Sequence, residues 1–369
     1  MDLPQLLTII IDRKASDLFL IVGAKASIRV SGQLLPLSNK VLGIDEVSAL
    51  VFSSMNARQQ TEYQATQESN FAIGTDSARY RVSAYYQRGA PAMVIRRIHT
   101  EIPSMEALQL PSILKSLALS KRGLILFVGA TGTGKTTSLA SLIDYRNANS
   151  AGHIITIEDP IEYIYEHKKS IITQREVNVD TESFENALHN SLRQSPDVIL
   201  MGEIRNLEVM RFGLTFAETG QLCLATLHAN NADQALNRII NMFPVGYHEK
   251  LRLELSVNLK AIVAQQLIPA KNGEGRRVAI EILTNTPLVG ELISKGRFSE
   301  IKEVMKKSSN VGMQTFDQSL FKLYLQGDIS YDSALSHADS ANDLRLMIKL
   351  NSEPHQYNSA NEYQFSLQD

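Results

Sequence analysis

The chain has 369 residues, of which 44% are hydrophobic, and its formal net charge at pH 7 is −2. This length predicts two domains with separate cores, and the near-neutral charge argues against a sequence-independent grip on nucleic acid. The single cysteine, Cys223, excludes an internal disulfide and fits a reducing compartment. No apolar run approaches the roughly 18 residues of a membrane-spanning helix. We therefore expect a cytoplasmic protein that has no nucleic-acid partner and meets a membrane only through partners.

Residues 1–99 are predicted to form a small α+β domain. It begins with an amphipathic helix over residues 3–14 and short β-rich runs, and a polar helical stretch follows over residues 45–66. Gly89 and Pro91 are expected to form the last turn of the domain. Three further strands complete it, at residues 70–74, 78–87 and 92–98.

Five arginines lie close together in this predicted sheet. Arg79 and Arg81 share one face of a strand because side chains alternate along a strand, and Arg88, Arg96 and Arg97 lie on or beside the next hairpin. A solvated sheet face accounts for such arginines without any function. The alternative is that some of them reach the γ-phosphate of a nucleotide across an interface.

A second, larger α/β domain is predicted over residues 105–350, after a linker at residues 100–104. Residues 105–119 are predicted to be helical with a break at Pro111, and apolar strands then alternate with helical segments. This alternation predicts a parallel sheet covered by helices, with ligands at the carboxyl ends of the strands. The predicted strands are residues 124–128, 153–157, 197–201, 221–227 and, at the sheet edge, 278–284.

The end of the chain is predicted to be helical and then polar. Residues 351–369 are rich in Asn, Gln and Ser and are expected to form a flexible tail. The helices before this tail are predicted at residues 288–295, 298–306, 315–326, 330–336 and 339–349.

A phosphate-binding loop lies between the first strand of the second domain and the next helix. Its sequence, GATGTGKTT, matches GxxxxGK[ST] in the required strand–turn–helix context, and a glycine-rich surface turn is the alternative. The glycines let backbone amides point inward, the helix N-terminus adds partial positive charge, and the lysine adds a full charge near the β- and γ-phosphates. Mg²⁺ prefers oxygen ligands, so Thr136 is a candidate metal ligand through its hydroxyl. The predicted nucleotide-binding residues are Gly129, Ala130, Thr131, Gly132, Thr133, Gly134, Lys135, Thr136 and Thr137.

Acidic residues follow two later strands. The segment TIEDPIE carries Glu158, Asp159 and Glu162, which repel one another unless a cation or a proton lies among them. An acidic surface loop is the alternative. Glu203 ends the next predicted strand and is the candidate on the metal side, whereas Asp197 begins that strand and is predicted to be structural.

His228 follows the predicted strand at residues 221–227, beside Asn230 and Asn231. A histidine in this place is typically a hydrogen-bonded structural residue. With a triphosphate nearby, it becomes a candidate sensor of the γ-phosphate.

Four segments lie in order along the second domain: GATGTGKTT (129–137), TIEDPIEY (156–163), PDVILMGEIR (196–205) and TLH (226–228). They resemble the Walker A, Asp, Walker B and His boxes of the secretion ATPase superfamily. The chain is most similar to its PilT/PilU family of type IV pilus retraction ATPases. This resemblance implies a hexameric ring, in which a PAS-like N-terminal domain is joined to a RecA-like ATPase domain and ATP with Mg²⁺ binds between them. The implied partners are an inner-membrane pilus platform protein and a PilT-like motor.

The resemblance also implies roles for single residues. Glu162 matches the base that polarises water, with Glu158 as the second choice, and Arg81 and Arg96 match phosphate-facing arginines. An arginine that stabilises a transferring phosphate contributes about 10³ to 10⁵ in rate. The resemblance therefore implies a catalytic site that a second domain completes.

Departures from the family narrow the prediction. The single cysteine excludes the zinc-binding tetracysteine segment of the assembly ATPases. Gln221 replaces the first histidine of the His box, and residues 288–295 lack the arginines of the family's AIRNLIRE segment. We expect a PilU-like accessory motor of pilus retraction and twitching motility, peripheral at the inner membrane through the pilus machinery. A nucleotide-gated adaptor with little hydrolysis is the alternative, and the charge and the motifs disfavour a DNA-translocating motor.

Overall fold

Two β-sheets organise the chain. The computed structural model describes residues 2–30, 32–75, 78–98 and 101–352. The predicted division at residues 99 and 100 falls outside the described residues, as does the predicted tail from residue 353 onward. Residues 351 and 352, which the sequence assigns to that tail, belong instead to the last helix.

The N-terminal sheet is antiparallel. Its described strands are β1 (Asp17–Ile21), β2 (Lys25–Val30), β3 (Gln33–Val41), β4 (Glu68–Gly74), β5 (Arg79–Gln87) and β6 (Ala90–Ile98). They lie in the order β3-β2-β1-β6-β5-β4. The helices on this sheet are α1 (Leu3–Asp12), α2 (Ile44–Ser53) and α3 (Ala57–Thr66).

Apolar alternation along these strands forms the core of the N-terminal domain. Leu18, Tyr80, Val82 and Ile95 are fully buried because they lie on the face of the sheet that the helices cover. The buried hydroxyl of Tyr80 donates a hydrogen bond to the carbonyl of Leu7 at 3.0 Å, which ties α1 to the sheet. The predicted α+β domain is confirmed.

Two details of the predicted N-terminal domain are wrong. The helical stretch 45–66 is two helices, because Asn56 caps the start of α3 by accepting from the Gln59 amide. The last turn consists of Arg88 and Gly89, both with positive φ, of 50° and 73°. Pro91 lies inside β6, where it faces Tyr86. A two-residue hairpin loop needs this left-handed backbone, which proline cannot adopt.

The second sheet is mainly parallel. Its described strands are β7 (Gly123–Val128), β8 (Gly152–Glu158), β9 (Ser170–Glu176), β10 (Val198–Met201), β11 (Leu222–Leu227), β12 (Leu259–Pro269) and β13 (Arg276–Thr284). Their order is β13-β12-β7-β11-β10-β8-β9, and β13 runs antiparallel to β12 at one edge. The predicted parallel sheet and its edge strand are confirmed.

Helices cover both faces of this sheet. Every residue of β7, β10 and β11 is buried, as expected for central strands between two helical layers. The described helices are α4 (Ile113–Ala118), α5 (Lys135–Asn149), α6 (Phe184–Ser191), α7 (Leu207–Glu218), α8 (Ala232–Asn241), α9 (His248–Asn258), α10 (Pro287–Ser294), α11 (Ile301–Lys307), α12 (Phe316–Leu325), α13 (Tyr331–Ser336) and α14 (Ala341–Ser352).

Some predicted elements of this domain differ from the structure. The helix expected over residues 105–119 is confined to α4, because the left-handed backbone of Gln109 (φ 53°) and Pro111 interrupt it. The helix expected from residue 298 begins as a 3₁₀ turn and continues as α11. Strands β9 and β12 are not predicted by the sequence pattern. Within the described residues, no helix is long and apolar enough to cross a membrane.

Candidate nucleotide site

The phosphate-binding loop joins β7 to α5 at the carboxyl edge of the parallel sheet. Gly134, the last residue before α5, has a φ of 86°, and a Cβ atom on it would lie 2.8 Å from Nε2 of Gln265. That Nε2 donates to the carbonyl of Thr133 at 2.8 Å, and Oε1 of Gln265 accepts from Oγ of Ser138 at 2.9 Å. Gln265 therefore joins the end of the loop to the first turn of α5, and its side chain leaves room only for glycine at position 134.

Lys135 lies folded over this loop. Its Nζ donates to the carbonyl oxygens of Gly129 and Ala130, each at 2.8 Å. Burial lowers the pKa of Lys135, and the carboxylates of Glu203 and Glu162 oppose this effect. A phosphate placed at the loop would offer the ammonium group a charged acceptor instead of two neutral carbonyls.

Two adjoining cavities border the loop. The smaller, of about 230 Å³, contains the acidic residues that follow β8 and β10. The larger, of about 780 Å³, extends between residues 107–110 and 275–278 and has Leu108, Leu110 and Leu267 in its walls. Gly132, Lys135, Thr136 and Glu162 line both cavities. A nucleoside triphosphate at the loop would have room for its γ-phosphate in the smaller cavity. The larger cavity, with its leucine walls, would have room for the nucleobase.

The two candidate bases have different surroundings. Glu158 is only 5% exposed, accepts a hydrogen bond from the hydroxyl of Thr156 at 2.7 Å, and lies 3.4 Å from Nε2 of Gln174. Burial raises the pKa of Glu158 to about 7. Glu162 is exposed at the junction of the two cavities. Glu162 is thus the more accessible of the two to an attacking water.

Glu203 and His228 meet in the smaller cavity. Arg205, to which the sequence pattern assigns no role, lies beside them. Oε1 of Glu203 lies 3.1 Å from Nε2 of His228, and Oε2 accepts from Nε of Arg205 at 2.9 Å. Arg205 also reaches Oδ2 of Asp159 at 3.0 Å. One guanidinium therefore bridges the segments after β8 and β10. An arginine two residues after a glutamate at a strand end is the sequence signal that could have identified it.

Two other residues of the site lie outside the predicted set. Gln265 belongs to β12, which the sequence pattern does not predict. The hydroxyl of Tyr163 lies 3.0 Å from the hydroxyl of Thr137, so it joins the acidic segment to the start of α5. Neither contact has a sequence signal, because the partners are separated by 132 and 26 positions.

Asp197 and Gln221 lie just before the amino ends of β10 and β11, at the opposite end of the strands from the phosphate-binding loop. The carboxylate of Asp197 accepts from the amide of His153 at 2.8 Å, which fits the structural role predicted for it. Gln221 immediately precedes β11, and its side-chain oxygen accepts from the hydroxyl of Thr219 at 2.6 Å. Gln221 is therefore separated from the phosphate-binding loop by the length of a strand.

Arg81 and Arg96 do not line either cavity within a single chain. Nε of Arg96 donates to Oδ1 of Asp17 at 2.7 Å, and the Arg96 side chain is 64% exposed. Arg81 faces Arg96 across β5 and β6. A phosphate-facing role for this pair requires a second subunit, as the resemblance implies, and remains a prediction.

The residues of the smaller cavity fit a Mg²⁺ ion that is held mainly by its nucleotide. The hydroxyl of Thr136 and the carboxylate of Glu203 line the same space, and both offer oxygen. Within the part of the chain that the structure describes, no group of three or more His, Cys, Asp or Glu residues could hold a metal ion by itself. Mg²⁺ commonly binds through one or two protein ligands together with phosphates and water, which matches this donor set.

Comparisons with known proteins agree with this geometry. Residues 2–322 match the family described as Type II/IV secretion system protein. The chain is 56% identical to the type IV pilus ATPase PilU of Pseudomonas aeruginosa over 354 residues, which cover 96% of this chain and 93% of that protein. It is 38% identical to the pilus retraction ATPase PilT of the same organism over 339 residues, covering 92% and 98% of the two chains.

A solved structure shows the same fold. The pilus retraction motor PilT with bound ADP superimposes with a TM-score of 0.88 at 37% identity, over 94% of this chain and 100% of that one. The predicted RecA-like core and the predicted resemblance to the PilT/PilU family are thereby confirmed. The chain is a P-loop ATPase that belongs to the Type II/IV secretion system protein family.

Proposed function

We propose that this chain is a hexameric ATPase motor that drives or assists type IV pilus retraction, as a PilU-like accessory to a PilT-like motor. The observation that carries the proposal is the convergence of Lys135, Thr136, Glu162 and Glu203 on one cavity beside the phosphate-binding loop. The similarity to proteins named as pilus ATPases supplies the biological setting. Its partners are further copies of itself, an inner-membrane platform protein and the related motor.

In the proposed mechanism, the loop amides and Lys135 bind the phosphates of ATP, and Glu162 orients a water molecule and accepts its proton. His228 senses the γ-phosphate through its contact with Glu203. Mg²⁺ would be held by Thr136 and Glu203 and would neutralise phosphate charge. Arg81 and Arg96 of a neighbouring subunit stabilise the transferring phosphate, so that hydrolysis depends on ring closure.

One of the two observations behind the adaptor hypothesis concerns a residue that lies far from the phosphate-binding loop. It rests on the loss of the first His-box histidine at Gln221 and on residues 288–295, which lack arginines. Gln221 lies before β11, whereas His228 and the phosphate-binding loop lie at the carboxyl ends of the strands. The substitution at position 221 therefore leaves the residues around the phosphates in place.

Phosphate release from Mg-ATP tests the enzymatic part of the proposal. We expect Lys135→Ala to reduce hydrolysis at least about 100-fold, because it removes the charge that binds the phosphates. Lys121→Ala, which removes an exposed charge before β7, is the matched control. Wild-type turnover no higher than that of Lys135→Ala would contradict the proposal.

Retraction assays separate the motor from the adaptor. Each variant is expressed in a strain that lacks this chain, with and without the related PilT-like motor, and pilus retraction is measured under load. The proposal expects Lys135→Ala to give no more retraction force than the strain that lacks this chain, in either background. Full retraction by Lys135→Ala beside an active PilT-like motor would favour the adaptor.

A further inference from the structure

An ion pair joins the N-terminal sheet to the edge of the parallel sheet. Nη2 of Arg79, the first residue of β5, lies 3.3 Å from Oε2 of Glu176, the last residue of β9. The two side chains are 27% and 7% exposed, so the pair is largely shielded from solvent. Within the described residues, Arg79 is the cation that pairs with the buried carboxylate of Glu176.

The same carboxylate holds the catalytic segment. Oε2 of Glu176 also accepts a hydrogen bond from the backbone amide of Ile161 at 3.2 Å, and Ile161 immediately precedes Glu162. One residue further along, the amide of Val177 donates to the carbonyl of Glu158 at 3.0 Å. The segment between Glu158 and Glu162 is therefore fastened at both ends to the end of β9.

The position of Glu176 is itself fixed by its surroundings. Its amide donates to Oδ2 of Asp180 at 2.9 Å, and its side chain lies against the protein rather than in water. A buried carboxylate that loses its cation is strongly destabilised, and its remaining contacts then rearrange. The Arg79 contact thus determines whether Glu176 can keep the Ile161 amide in place.

We propose that Arg79 is a positioning residue through which the N-terminal domain sets the catalytic loop. With the two domains in the present arrangement, Arg79 neutralises Glu176, and Glu176 holds Ile161 so that Glu162 points into the cavities. A movement that withdraws β5 from β9 removes the cation and releases the loop. Hydrolysis is thereby coupled to domain position inside one subunit. This inference rests on the proposed function, because it takes Glu162 as the base.

The test uses the purified full-length protein and steady-state hydrolysis of Mg-ATP. We expect Arg79→Ala to lower kcat about tenfold or more, with KM changed by less than about twofold, because binding through the phosphate loop is intact. Arg79→Lys keeps the charge and should restore much of kcat. Arg58→Ala, at an exposed position of α3 in the same domain, is the matched control and should behave like the wild type.

A second variant tests the pathway through Glu176. The amide oxygen of Glu176→Gln can still accept from Ile161 but carries no charge, so it no longer needs Arg79. The double variant Arg79→Ala/Glu176→Gln should therefore be no slower than Glu176→Gln alone. Strictly additive losses would overturn the inference, as would a loss confined to KM.

The outcomes distinguish this inference from the proposed function. Hydrolysis by the wild type together with wild-type kcat in Arg79→Ala would overturn the inference alone. Absence of hydrolysis in the wild type would overturn the proposed function and the inference with it. If Arg79→Ala does not fold, the double variant Arg79→Ala/Glu176→Gln, which leaves no unpaired buried charge, decides: kcat no lower than that of Glu176→Gln supports the inference, and a lower kcat overturns it.

Discussion

Nε2 of His228 lies 3.1 Å from Oε1 of Glu203. The two residues follow β11 and β10, which are adjacent and parallel, with Met201 opposite Ala225. Residues that follow two such strands come together at the same edge of the sheet. Glu203 is held on its other side by Arg205. The orientation of this carboxylate therefore depends on residues from two strand ends.

The contact between His228 and Glu203 predicts that substitution of His228 lowers the rate of hydrolysis more than the affinity for the nucleotide. We expect His228→Ala to lower kcat about 10- to 100-fold, the effect of losing a hydrogen bond to a charged group, with a smaller change in KM. His228→Gln can still donate to Glu203 and should retain more activity. Phosphate release measures both, with His189→Ala on the exposed side of α6 as the control. Equal rates in all three variants would remove His228 from the mechanism.

The different surroundings of Glu162 and Glu158 predict different effects of the same substitution. Glu162→Gln should keep nucleotide binding and lower kcat by about 10² to 10⁴, the range expected for loss of a general base. Glu158→Gln should cost much less, because Glu158 is buried and its raised pKa of about 7 already keeps part of it protonated near neutral pH. Binding is measured with a fluorescent nucleotide and turnover by phosphate release. The reverse order of effects would transfer the role of base to Glu158.

The exposed position of Arg96 predicts that it acts on a neighbouring subunit. Arg96→Ala should slow hydrolysis about 10³-fold while nucleotide affinity changes little. Mixing Arg96→Ala with Lys135→Ala should restore turnover, because a mixed ring contains sites with both residues intact. Arg29→Ala is the control, since Arg29 also lies 4.0 Å from Asp17. No recovery on mixing, or a normal rate in Arg96→Ala alone, would return Arg96 to a purely structural pairing with Asp17.

Buried Glu281 predicts a dependence of stability on pH. Burial raises its pKa from the ordinary 4.5 to about 7, and its Oε1 accepts from the amide of Ala232, the first residue of α8, at 2.8 Å. The folded state keeps the proton that the unfolded chain loses, so this stabilisation is complete below about pH 4.5 and is lost as the pH rises to about 7. Glu281→Gln should remove that loss, which is at most about 3 kcal/mol.

Denaturant unfolding at about pH 5 and about pH 8 measures this effect. The free energy of unfolding of the wild type should fall more between the two pH values than that of Glu281→Gln. Glu249→Gln, an exposed substitution on α9, should follow the wild type. An identical fall in Glu281→Gln would show that Glu281 ionises with the same pKa in the folded and unfolded chains.

Local patterns in the sequence were sufficient to predict the phosphate-binding loop and the strand ends around it. The phosphate-binding loop is a contiguous segment whose glycines, lysine and threonine carry their own conformational and chemical requirements, so its position between β7 and α5 could be predicted. The strands before Glu158, Glu203 and His228 are apolar runs with clear ends, and parallel pairing then places those ends at one edge. The break at Asn56 was missed and the last turn was predicted at Gly89 and Pro91 instead of Arg88 and Gly89, because helix caps and turn types depend on one or two residues.

Tertiary structure decided what contiguous patterns cannot contain. Gln265 forms a hydrogen bond with the loop from 132 positions away. Arg205 bridges Glu203 and Asp159. Arg79 contacts Glu176 across 97 positions. The sequence by itself determined that a nucleotide binds and which strand ends meet it. Only the fold decided which carboxylate is buried, which is exposed to the cavities, and which arginine lies beside the acidic segment after β8, because burial and charge pairing arise from packing between distant elements.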